Sequence, residues 1–179
     1  MDVRAAILAL VQLWAQPATP PEYMPESPAA YHEREETIVD GAIAETASLR
    51  ETMAVLRLWR EESRFLREVH SGEIRGDNGL AICLGSIHPS ARIADWEGLA
   101  GTSLEATRRC AHETIRVLRY GLENCAPRQG KPSERMAFSF EYYARGHCAE
   151  PCATSRKRGE LWASDVAKVR KAMAEREAG

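Results

Sequence analysis

A mainly α single domain with one small irregular hairpin or loop region is what this sequence predicts, and three observations carry the prediction. Apolar residues recur at helical spacing in several separate segments along the chain. Between Ser71 and Ser90 the pattern breaks: Gly72, Gly76, Gly79 and Gly85 punctuate a short apolar run, Leu80 to Leu84, too brief for a helix. At 179 residues the chain is long enough to bury one core and too short for two comfortable domains.

The elements follow in order. Ala5 to Val11 is a short apolar run after Arg4, readable as the core of a weak secretory signal or as an amphipathic helix with Leu8, Val11 and Trp14 on one side. Pro17, Pro20, Pro21, Pro25 and Pro28 make residues 16 to 29 a linker or an extended wrap. Residues 1–31 are thus an N-terminal helix with its linker, and 32–179 the main domain. Ile38, Ala42, Ile43 and Ala47 fit a helix over 32–47, and a second helix is expected over 49–69. Thr102-x-x-Glu105 reads as a capping box opening a helix whose inner face carries Ala111, Ile115, Leu118, Leu122 and Cys125. An aromatic segment, Phe138, Phe140, Tyr142 and Tyr143, ends at Gly146. The last helix, from about Glu160, carries Trp162, Val166, Val169 and Met173 inward and Lys168, Arg170, Lys171 and Arg176 outward.

Glu62 stands out. With the 49–69 helix wound at about 100° per residue, Val55, Leu58, Trp59, Phe65, Leu66 and Val69 fall within roughly 60° of it, while Glu61 faces Arg57, Arg64 and Glu68 on the expected solvated side. A carboxyl group in an apolar stripe is poorly solvated when ionised, which suits a general acid. The competing reading is a side chain that snorkels from the stripe's edge or pairs with Arg60 or Arg64.

Composition narrows the classes. A net charge of -2 offers no excess of base to hold a polyanion, so no nucleic-acid partner is expected, and no apolar run reaches the ~20 residues of a spanning helix. Five cysteines suggest one or two disulfides, and the odd number leaves at least one thiol unpaired. His147-Cys148-x-x-x-Cys152 is half of a zinc pattern without a second half, so neither metal nor cofactor is expected.

Three blocks in order make the chain resemble the lysozyme-like lytic transglycosylases, a superfamily shared with goose-type lysozymes. Glu62-Ser63-Arg64-Phe65 is similar to the family's Glu-Ser-x-Phe; Ser71 onward to Gly79-Leu80 and Gly85-Ser86-Ile87 is similar to its Ser-x-x-Gly-Ala-x-Gly-Leu-x-Gln-Ile loop, with an insertion; Tyr143-Ala144-Arg145-Gly146 is similar to its Tyr-Asn-x-Gly. The resemblance covers about residues 33 to 150. It departs from the family where Ser86 replaces glutamine and Ala144 replaces asparagine.

The resemblance implies a monomeric lysozyme-like α+β domain that cleaves the β-1,4 bond between N-acetylmuramic acid and N-acetylglucosamine in peptidoglycan. Glu62 would be the acid and base, with Ser71, Ser86, Ile87 and Tyr143 contacting glycan. Asp77, in the Gly76-Asp77-Asn78-Gly79 turn, is the candidate second carboxylate if water is the acceptor; as a turn residue it needs no catalytic reason. The expected setting is the cell envelope or periplasm, secreted, or associated with phage. A non-catalytic glycan-binding or structural relative is the alternative. The enzyme reading requires Glu62 on the floor of a cleft with Tyr143 and the 71–87 loop around it; a sealed Glu62, or one paired to an arginine, counts against it.

Overall fold

The computed structural model of the chain describes residues 2–15, 26–89 and 93–177. Among these residues seven α-helices follow one another: α1 (Val3–Ala15), α2 (Pro28–Ala44), α3 (Leu49–Ser63), α4 (Arg67–Ser71), α5 (Leu104–Asn124), α6 (Pro132–Arg145) and α7 (Ala153–Glu177). Among the described residues there is no strand. The expected hairpin is reduced to two isolated antiparallel bridges, Gly76 with Ala81 and Ile82 with Ile87. The fold is therefore mainly α, and the α+β expectation is not met at the level of secondary structure.

Polar caps set several helix starts. Ser27, Ser48 and Ser103 each accept the N–H three residues on, at 3.2, 3.3 and 3.2 Å, so the first-turn donors of α2, α3 and α5 are satisfied. The cap of α5 is thus Ser103, one residue beyond the expected Thr102. Pro28 and Pro132 occupy first-turn positions, where no amide hydrogen is required. Of the Pro-rich linker expected at 16–29, residues 16–25 lie outside the described residues, and its end is helical, because Pro28 and Ala29 already form the first turn of α2.

The core forms around α3. Residues 52 to 59 of this helix are all buried, and α1, α2, α5 and α7 pack on it. In α1 the buried residues are Ala6, Ile7, Leu10 and Val11, with Trp14 partly covered and Leu8 at the margin, so the inward stripe is rotated from the expected one. Helix α5 packs on α2 and α6, and α6 on α7. The α6–α7 contact is close at Gly159, where a Cβ would stand 2.3 Å from the Ser133 carbonyl oxygen. Helix α7 begins seven residues before the expected Glu160, and the Trp162 indole donates to the Arg50 carbonyl at 2.9 Å, docking α7 on the start of α3. Its Lys168, Arg170, Lys171 and Arg176 are exposed, as the pattern required.

Two disulfides are formed, Cys83–Cys110 and Cys125–Cys148, and Cys152 is a free thiol. The first ties the loop after α4 to the middle of α5; the second ties the end of α5 to the chain just after α6. With Cys148 oxidised, the His147–Cys148–Cys152 half-site has lost the thiolate it would need. No helix among the described residues is long and apolar enough to cross a membrane.

Candidate active site

Glu62 lies in the last turn of α3, and the chain reverses immediately after it. Arg64 (φ 52°) and Phe65 (φ 57°) are both left-handed. The reversal is held from several sides. The Ser63 hydroxyl donates to the Trp59 carbonyl at 2.6 Å and accepts the Phe65 N–H at 3.2 Å, and the Arg64 N–H closes on the Arg60 carbonyl at 3.0 Å. The buried Arg34, clamped by Glu26, donates to the Phe65 carbonyl at 2.7 Å. Because the helix stops at Ser63, the wheel that placed Phe65, Leu66 and Val69 on the Glu62 face does not apply. Phe65 is buried by the reversal itself and Leu66 is exposed. Nor is the opposite side of α3 solvated: Arg57 is 2% exposed and bonded to the buried Asp165 of α7.

Strain is concentrated in the following segment. All six non-glycine residues with positive φ in the described structure, Arg64, Phe65, Asp77, Asn78, Cys83 and Ser86, fall between 64 and 86. Each costs on the order of 1–2 kcal/mol relative to a right-handed conformation, and such clusters persist where the surroundings over-determine them. Here Cys83 is fixed by its disulfide to Cys110, and Ile82 and Ile87 exchange both backbone hydrogen bonds at 3.1 and 2.9 Å.

A hydrogen-bonded cluster joins this loop to three helices. The Trp59 indole, one turn before Glu62, donates to Thr114 Oγ1 at 3.0 Å; Thr114 donates to the Cys110 carbonyl at 2.8 Å; the Tyr143 hydroxyl of α6 donates to the Gly85 carbonyl at 2.6 Å. Gly85 sits in the middle: a Cβ there would be 2.5 Å from Thr114 Oγ1 and 2.9 Å from the Tyr143 hydroxyl. Burial pushes the Tyr143 hydroxyl far above the ordinary phenol range; a hydrogen bond with Thr114 opposes this, and the charges of Glu62 and Glu113 reinforce it. Tyr143 therefore stays a neutral donor, with Glu62 and Glu113 both close enough for their charge to be felt.

The Glu62 carboxylate has a partner that the sequence reading did not name. Arg158 of α7 lies 2.9 Å from Glu62 Oε1, with the two side chains 15% and 26% exposed. Glu62 is thus neither sealed in the core nor set among apolar groups alone. Its partner is Arg158 rather than Arg60 or Arg64, and pairing to an arginine is the outcome that counts against the enzyme reading.

The remaining predicted site residues are distributed differently. Ser71 ends α4, where its hydroxyl donates to the Glu68 carbonyl at 3.2 Å and accepts the Glu73 N–H at 3.4 Å, so it caps a turn rather than meeting Glu62. Ile87 is a core residue, 4% exposed, and its carbonyl accepts from the Trp96 indole, so its side chain is not available to a glycan. Ser86 is part-exposed at the left-handed corner beside Gly85. Asp77 is exposed and pairs with His88 at 2.5 Å rather than with any member of the Tyr143 cluster. Ala144 is exposed.

A depression of about 260 Å³ opens beside α5, lined among others by Glu45, Ile93, Leu99, Arg109 and Glu113. Its lining does not include Glu62 or Tyr143; Glu113 is the residue the two places share. Compared with protein-family models, curated proteins and solved structures, the chain matches none of them.

Proposed function

We propose that this chain is a lysozyme-like glycosidase that cleaves the β-1,4 bond between N-acetylmuramic acid and N-acetylglucosamine in peptidoglycan, with Glu62 as acid and base. One observation carries the reading: the Tyr143 hydroxyl meets the Gly85 carbonyl at 2.6 Å, and Gly85 lies against Thr114, which accepts from the indole of Trp59, one turn before Glu62. Three blocks distant in sequence thereby supply one locality. The strained 64–86 segment supports it further, since strain is retained where geometry has a use.

In this reading Glu62 gives a proton to the glycosidic oxygen as the C1–O bond breaks, and the N-acetylglucosamine fragment leaves as an alcohol. The carboxylate then removes a proton from the attacking hydroxyl. If that hydroxyl is the muramic acid's own at C6, a 1,6-anhydro ring closes; if it is water, a reducing end forms. Arg158 must release Oε1 when the glycosidic oxygen arrives. Tyr143, fixed on Gly85, keeps the loop in register with the end of α3. The reaction needs no cofactor. The two disulfides favour an oxidising compartment, in keeping with a cell-envelope or secreted setting.

The Arg158 contact favours a second reading, a non-catalytic glycan-binding relative in which Glu62 is an ion-pair residue. Digestion of purified peptidoglycan by wild type, with mass spectrometry of the fragments, separates the readings. Anhydro ends identify a transglycosylase and reducing ends a hydrolase. Intact glycan after prolonged digestion sinks both enzymatic outcomes.

A further inference from the structure

We propose that Tyr120 of α5 and Tyr142 of α6 form a sugar-stacking platform that extends the glycan-binding surface beyond the Glu62 locality, an inference that rests on the glycan reading above. The two rings lie 4.9 Å apart between centroids at an interplanar angle of 34°, and Tyr120 is 51% exposed. With Tyr142 part-buried and packed on Tyr120, the pair presents one aromatic surface to water where α5 meets α6. The pyranose ring suits this surface: its axial C–H face is apolar and packs on a tyrosine face, while its hydroxyls stay in water or meet the phenol oxygens.

The platform is rigid. Gly121 lets α5 and α6 approach until a Cβ there would be 2.9 Å from the Tyr142 Cβ; Ser139 Oγ donates to the Leu118 carbonyl at 2.6 Å; and the Cys125–Cys148 disulfide ties the same end of the helix pair. Little ordering entropy is then lost when a ring settles on it. Its position is continuous with the candidate site. Tyr142 adjoins Tyr143 in sequence, and Tyr120 lies seven residues beyond Glu113 on the same face of α5, about 10 Å along the axis. That spacing along α5 places the tyrosine pair about two helical pitches from Glu113.

The test uses the full chain carrying Glu62→Gln, so that binding is read without turnover, and the soluble tetramer of β-1,4-linked N-acetylglucosamine as probe. By calorimetry, Tyr120→Ala and Tyr142→Ala each weaken the tetramer about tenfold, the scale of one lost aromatic contact, while Tyr120→Phe binds within about twofold. Near-ultraviolet circular dichroism and melting temperature of each variant establish that it is folded. A tetramer that fails to bind, or that binds the folded alanine variants as tightly as their parent, overturns the platform. Tyrosine-dependent binding with no peptidoglycan cleavage by wild type upholds the platform and refutes the glycosidase; cleavage with alanine variants of unchanged affinity does the reverse.

Discussion

Among the described residues two ion pairs join α3 to α7, and they are built to opposite ends. Arg57 and Asp165 are sealed: both are about 1–2% exposed, Arg57 Nε donates to Asp165 at 2.9 Å, and the Trp14 ring of α1 closes over the guanidinium at 4.5 Å. Glu62 and Arg158, five residues further along α3 and seven back along α7, carry the reversed polarity and are part-exposed, at 26% and 15%. The first pair is walled by helices on every side. The second stands where α3 stops and the strained segment begins. Charges sealed in a core specify packing and tolerate no loss of a partner; charges at the edge of a helix end can change partners. The difference makes the Glu62 pair the one that a ligand could separate, which the proposed acid and base role requires.

The largest expected effect lies on the sealed pair. Asp165→Ala leaves Arg57 buried with only Glu61, 3.1 Å away and part-exposed, and destabilises the fold by about 3 kcal/mol or more in chemical denaturation. Removing the Cys83–Cys110 disulfide by a double serine replacement costs about 3 kcal/mol through the freed 27-residue loop and also loosens Gly85 beneath Tyr143. Fragment release should then fall more than stability does, a divergence not expected for Asp165→Ala.

Acid should act on the sealed regions in two stages. Burial, with the nearby Arg34 charge, holds the His70 imidazole down at about 3, while in the unfolded chain it titrates near its ordinary 6.5. The unfolded chain therefore binds the extra proton between those values. This contribution is complete above about pH 6.5 and is lost as pH falls toward 3, at up to about 1.4 kcal/mol per unit. Replacing His70 by Gln flattens that limb of a stability–pH curve. Glu141 follows below pH 4.5: burial opposes its ionisation, but the Cys152 N–H, Ser155 and Arg145 more than offset it and bring it to about 2, so its stabilisation is lost as pH falls toward that value. The smallest effect belongs to the open pair. Arg158→Met changes stability by about 1–2 kcal/mol, and it raises the initial rate of glycan release because Oε1 no longer has to be vacated.

Much of the helical architecture was legible because apolar spacing reports burial directly: Trp162, Val166 and Val169 do face inward, and Ile38 and Ala42 do lie in the core. The boundaries were not, where backbone conformation overrode the wheel. Nothing in a one-dimensional pattern says that Arg64 and Phe65 turn left-handed, because the stabilising contacts come from Arg34 and from the Ser63 hydroxyl. Arg158 was within reach of the pattern. It precedes Trp162 by one turn on the same face, and extending the α7 stripe backward would have aimed it at α3. Ser71 and Ile87 carried a motif's expected roles, but their hydrogen-bonding capacity and burial are already used by the fold. Glu113 had no motif to flag it; only the packing of α5 against Tyr143 brings it into view.

The most direct test compares wild type with Glu62→Gln at equal folded concentration, following release of soluble fragments from purified peptidoglycan. The exchange keeps the side chain's shape and removes the group that gives and takes the proton. A working acid and base predicts release by wild type and a loss of at least about a hundredfold in the variant. Equal release by the two proteins would contradict the role assigned to Glu62.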